Sequence, residues 1–157
     1  MNEIRRRTVA GMNSGDTFTL TRRFTAKDVD AFTEVTRDHN PIHSSKRFVE
    51  LKGFNDRICH GLLVGGMITE VGGQMGWLAS GMNFRFIKPV YFNDTITCRC
   101  TLTTVDEKNR AEVEAVFTNQ RDEIVLEASL FGVLPNARER KVLQDLLESE
   151  VTQANKD

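Results

Sequence analysis

Between Ile58 and Trp77 the chain is apolar or glycine at nearly every position, interrupted only by His60, Thr69, Glu70 and Gln74. A helix that is apolar on almost every side has to be buried. This one falls short of the roughly 20 uninterrupted apolar residues of a membrane span. Five glycines between Gly61 and Gly73 each cost about 1 kcal/mol of helix propensity relative to alanine. So many of them imply that something packs unusually close. One long apolar central helix of this kind needs a sheet wrapped around it.

Strand patterns supply the sheet. Residues 16–24, DTFTLTRRF, alternate Phe18, Leu20, Arg22 and Phe24, and MNFRFIKPV puts Met82, Phe84 and Phe86 on one face. TITCRCTLTTV, AEVEAVF and IVLEASLFGVL alternate likewise, with Cys98 and Cys100 pointing to one face as core thiols. No proline lies between Pro89 and Pro135, and the turns YFND, DEKN and NQRD separate the runs. An antiparallel meander is expected.

Thr25 opens a helix, with Asp28 in a capping-box position and Val29, Phe32 and Val35 as its apolar stripe. Pro41 stops it by Asn40. The fold class is therefore α+β. Residues 1–15 read as a polar arm, 16–135 as the domain, and 136–157 as an amphipathic helix or tail with Val142, Leu143, Leu146, Leu147 and Val151 as its stripe. Its charges run basic then acidic, against the helix dipole, so docking must stabilise it.

At 157 residues one domain is expected. A net charge of −1 argues against nucleic acid, which requires clustered positive charge. The N-terminal MNEIRRRTVAGMNSGD has no apolar run of the secretory type, and three cysteines without framework spacing suit reduced thiols. A cytoplasmic setting without membrane contact is expected.

Two polar clusters carry the chemistry. Asp38-His39-Asn40-Pro41-Ile42-His43 sets a carboxylate and an imidazole five apart across a stiff turn, a pair suited to acid–base work near neutral pH. The same composition suits a plain turn and N-cap. His39 and His43 have metal-ligand spacing, but Pro41 breaks the helix between them, and a third ligand would have to come from His60 or Cys59; no metal is expected. Cys59-His60-Gly61 stands where the central helix begins. Its backbone N–H groups, approachable at glycine, suit a polarised carbonyl; a buried, hydrogen-bonded His60 is an equal reading.

Together, FTEVTRDHNPIHSSKRFVELKGFNDRICHGLL resembles the signature of the MaoC-like dehydratases, which include the (R)-specific enoyl-CoA hydratases. The matching elements are Phe32, Asp38, Asn40, Pro41, Ile42 and His43, then Ile58, His60 and Gly61, with FRFIKPVYFNDTI continuing the likeness. Arg37 stands where glycine is frequent and Val49 where a small residue is usual.

The resemblance implies a single hot-dog domain, a curved antiparallel sheet around the central helix, that pairs into a homodimer or higher oligomer. It implies reversible hydration of trans-2-enoyl thioesters to (R)-3-hydroxyacyl thioesters, carried by coenzyme A or acyl-carrier protein, without a cofactor. Asp38 and His43 would hold the water, the Gly61 N–H would polarise the thioester, and Asn40, His60 and Thr69 would support them. Lys88, Arg57 and Arg85 are candidates for the nucleotide phosphates. Gly65, Gly66 and Gly73 would leave room for the acyl chain, and Met67, Met75 and Trp77 would close it. A hot-dog thioesterase and a non-catalytic acyl-CoA binding module are the competing readings.

Overall fold

The computed structural model describes residues 2–154. Helix α1 (Asn2–Ala10) comes first, where a polar arm was expected. Its few apolar groups are set among arginines, yet Ile4 and Thr8 share one face and are buried. The Thr8 hydroxyl donates to the Ile4 carbonyl one turn back. Strand β1 (Thr17–Arg23) follows, then α2 (Ala26–Thr36) with the expected capping box between Thr25 and Asp28.

Within α2 the expected stripe is only partly used. Val29 is buried, but Val35 is 84% exposed. The helix stops at Arg37, whose φ of 59° and ψ of 27° are left-handed. A residue with a Cβ pays roughly 1–2 kcal/mol there, which explains why glycine suits this position. Arg37→Gly is expected to stabilise the chain by roughly 0.5–1 kcal/mol after the extra unfolded-state entropy of glycine. Thermal melts should show a rise of about 2 °C.

A 3₁₀ turn (Pro41–His43) and α3 (Lys46–Leu51) lead to the central segment. It forms two helices rather than the single long one expected, α4 (Gly61–Gly65) and α5 (Met67–Met75). Gly66 sits between them with a ψ of −16°, and its carbonyl accepts from the Thr69 N–H three residues on, a 3₁₀-type bond that tightens the joint. Close packing is met at two glycines. A Cβ at Gly61 would lie 2.5 Å from the Phe86 ring, and one at Gly65 2.8 Å from the Phe84 ring.

Four strands follow, β2 (Leu78–Phe86), β3 (Thr95–Val105), β4 (Arg110–Thr118) and β5 (Ile124–Val133), then α6 (Ala137–Ala154). Their sheet is antiparallel throughout in the order β1-β3-β4-β5-β2. The expected meander therefore holds only for β3–β5. Strand β2 pairs with β5 (Phe86 opposite Leu126), because residues 87–94 carry the chain across to begin β3 beside β1. That crossing is pinned. The Ile87 and Lys88 amides donate to the Val125 carbonyl, and buried Asp94 accepts from the Tyr91 amide and the Gln120 side chain.

The curved sheet wraps α4 and α5, and Val64, Met67, Val71 and Met75 meet Leu102, Phe117, Leu126 and Leu130 in one core. Cys98 and Cys100 lie in it as the core thiols expected. Helix α6 docks on α1, burying Leu147, while Val142 and Leu146 stay about half exposed; the Val151 side chain lies outside the described residues.

Candidate active site

The left-handed turn at Arg37 swings the chain off α2 and presents Asp38. Its Oδ1 accepts from the Asn40 amide at 3.2 Å, and the Asn40 Oδ1 accepts from the Ile42 amide at 3.2 Å. Pro41 occupies the first position of the 3₁₀ turn, where its missing N–H costs nothing. The composition read as a turn is thus a turn, and it delivers His43 to the side on which Asp38 stands.

His43 Nδ1 donates to the Ile58 carbonyl at 2.8 Å. A carbonyl accepts only from N–H, so the proton sits on Nδ1 and Nε2 presents its lone pair. That Nε2 lies 3.8 Å from the Asp38 carboxylate. A second tie runs from the Ile58 amide to the Ile42 carbonyl at 3.3 Å. The Cys59 amide donates to the Val90 carbonyl, so the crossing segment fixes His60 from the other side.

His60 is 2% exposed and stacks on His43, ring centroids 3.7 Å apart, with Phe32 tilted against it at 5.1 Å. Its Nε2 faces the Asp38 carbonyl at 3.3 Å and the Thr33 hydroxyl at 3.4 Å. Burial pushes its pKa below the ordinary imidazole value, opposed in part by the bond to that carbonyl. It is the buried neighbour of a pair in which Asp38 is exposed and His43 largely covered. Thr33 was not singled out in the sequence, although its place beside Phe32 on α2 aims it at the same ring.

Asp38, His43 and His60 bring donor atoms within 4.8 Å of one another, the make-up of a small metal centre. The Asp38 carbonyl holds an N–H at His60 Nε2, however, where an ion needs a lone pair. The Cys59 thiol is pushed up to about 12 by burial and then by the charges of Asp94 and Asp28. It stays protonated, supplying neither a metal ligand nor a nucleophile.

A half-open cavity of about 610 Å³ lies against this cluster. Asp38, His43, His60 and Gly61 line it, together with Phe86, which sequence reading placed on a strand but not in the site. The signal for Phe86 was the Gly61/Gly65 spacing, one helical turn cleared for aromatic rings. No side chain caps α4, and Gly61 is its first residue, so the Gly61 amide belongs to the turn whose N–H groups lack helical partners.

The remaining expected residues are dispersed. Thr69 is exposed and its hydroxyl donates to the Gly66 carbonyl at 2.7 Å, away from the cavity. Lys88 lines the cavity and pairs with Glu123 at 2.8 Å. The Arg57 guanidinium stacks over Phe92, and Arg85 pairs with Glu127 on the outer face of the sheet. None of Gly65, Gly66, Gly73, Met67, Met75 and Trp77 lines the cavity. Its walls come instead from α2 and the turn after it, residues 54–64, residues 86–90 and the start of β5.

Comparison with known proteins agrees with this architecture. The MaoC like domain matches residues 11–124. The chain is 31% identical over 132 residues to a 3-hydroxybutyryl-CoA dehydratase of Methylorubrum extorquens, covering 80% of this chain and 82% of that one. It is 30% identical over 128 residues to a mitochondrial 3-hydroxyacyl-[acyl-carrier-protein] dehydratase of Arabidopsis thaliana, covering 78% and 77%. Its structure is similar to that of the (R)-hydratase from A. caviae involved in PHA biosynthesis, with a TM-score of 0.75, 26% identity, and 80% and 98% of the two chains covered. With a five-stranded sheet around a glycine-bearing helix and the two-part Asp-x-Asn-Pro-Ile-His and His-Gly motif gathered at one cavity, the chain belongs to the MaoC-like domain family.

Proposed function

We propose that the chain catalyses the reversible hydration of trans-2-enoyl thioesters to (R)-3-hydroxyacyl thioesters. The observation that carries this reading is the Asp38 carboxylate facing the lone pair of His43 Nε2 at 3.8 Å, on the wall of an apolar cavity. A water held between them gives its oxygen to C3 while the pair takes one of its protons. Electrons move onto the thioester oxygen, where the Gly61 N–H stabilises the enolate, and the pair returns a proton to C2. H and OH are thereby added across the double bond without a cofactor. Asn40 stiffens the turn, and His60 supports the pair by stacking. Thr69, expected among the supporting residues, lies away from the cavity and takes no part in the step.

Coenzyme A is the proposed carrier and acyl-carrier protein the alternative, since relatives bear names of both kinds. Arg57, Arg85 and Lys88, which would have to leave Glu123, are the candidates for a phosphate contact. The decisive assay is loss of enoyl absorbance when the protein meets trans-2-enoyl-CoA, with a thiol reagent alongside. Thiol release without hydration would replace this reading with the thioesterase. Binding without turnover would replace it with the non-catalytic acyl-CoA module.

The active unit is proposed to be a homodimer. Edge strand β2 has a free backbone flank, and its inward residues Met82 and Phe86 are 42% and 56% exposed. A second copy adding its own β2 would cover both. Light scattering should give twice the chain mass; a monomer at micromolar concentration would overturn the pairing. No helix among the described residues is long and apolar enough to cross a membrane. The three unpaired, buried cysteines support the proposed cytoplasmic setting.

A further inference from the structure

Resting on the hydratase reading, we infer that the preferred substrate carries an acyl chain longer than four carbons, and that Ile87 helps set this preference. A methylene fills roughly the space of a water molecule, about 30 Å³. A crotonyl thioester head has only six non-hydrogen atoms, so it would leave most of the cavity, about 610 Å³ in volume, to the pantetheine arm and to empty space. The walls next to the Asp38/His43 pair are apolar and deeply placed. Val64, Val125 and Leu126 are each 1% exposed, and they are flanked by Phe54, Phe86 and Ile87. Water gains little against such a surface, whereas each further methylene leaves bulk water for it.

Apart from the histidines, the only ionisable side chains on the wall are Asp38, Lys88 and the Cys59 thiol. Asp38 belongs to the reacting pair. The Lys88 charge is occupied by Glu123, whose carboxyl is held down at about 2 by the Asn119 side chain, then Lys88, then Arg121. The thiol stays uncharged. A hydrocarbon chain therefore meets no unpaired charge beyond C3. Ile87 stands where β2 gives way to the crossing segment and is 42% exposed at the rim, so a larger side chain there narrows the cavity without disturbing the core.

The test is kcat/KM for hydration of trans-2-enoyl-CoA substrates of four, six, eight and ten carbons by the full chain, and by Ile87→Trp. Each methylene that enters the apolar wall should raise kcat/KM by up to about fourfold. The eight-carbon substrate is expected to exceed crotonyl-CoA by at least about tenfold, and Ile87→Trp to lower that ratio about fivefold or more. A kcat/KM that is highest with crotonyl-CoA and falls with length overturns the inference and leaves the hydratase reading standing. A ratio that Ile87→Trp does not move overturns the role of Ile87. No hydration at any length overturns the hydratase reading, and this inference with it.

Discussion

Asp38→Asn and His43→Ala are each expected to lower kcat by roughly 10²–10⁴-fold, the usual worth of a positioned acid or base. The two changes differ in their structural cost. Asparagine keeps the side-chain oxygen that accepts from the Asn40 amide, so the turn survives and the melting temperature should stay within about 1 °C of the parent's. Alanine at 43 gives up the bond to the Ile58 carbonyl and the stack on His60. Leaving such a group unpaired costs about 1–3 kcal/mol, so this variant should melt lower and still fold. Because the pair handles one water between them, the double variant should be little slower than the worse single one. Steady-state hydration and thermal melts check all three. A full effect from each change multiplied together would mean that the two residues act in separate steps.

The second large effect is expected at Gly61, where two substitutions separate the backbone donor from the space around it. Proline fits the first position of a helix, and His60 before it already has φ −59° and ψ 134°, the extended geometry that proline requires of its predecessor. Gly61→Pro thus deletes one N–H while sparing the helix start. Gly61→Ala keeps the N–H and adds the Cβ that meets the Phe86 ring. The atoms met lie at the far end of a side chain, which can turn aside. Alanine should therefore cost activity mainly through crowding. Proline should be slower than alanine by a further factor of roughly 10²–10³, the usual loss when an oxyanion donor is removed. Equal rates for the two variants would take the Gly61 amide out of the mechanism.

Much of the architecture could be read in the residues because local pattern and burial agree. Strands β3 and β4 alternate cleanly, the Thr25/Asp28 cap is present, and most of the central apolar run is buried as its composition demands. Pairing across the sheet could not be read. Nothing in β2 or β3 says which neighbour each takes, and the choice is made by the crossing of residues 87–94 and by the Asp94 anchor, contacts distant in sequence. Helix α1 was hidden for a different reason, since two buried side chains among arginines give almost no periodic signal. At the site, Asp38, His43 and Gly61 were legible through a motif whose spacing is local. Phe86 and Thr33 were not, because each enters through an element that a linear reading assigns to packing.

The two hydrogen bonds that tie Ile58 to the 3₁₀ turn also bear on how such a protein can change. Residues 44–57, which include α3, form an excursion whose two ends are stapled at Ile42–His43 and Ile58. With the ends held, lengthening it is cheap, about 0.6 kcal/mol for each doubling. Phe54, carried by that excursion, forms part of the cavity wall. Insertions and deletions there can remodel what the cavity accepts while the reacting groups keep their places. Substrate range can therefore diverge on a schedule of its own, and the chemistry can stay still while it does.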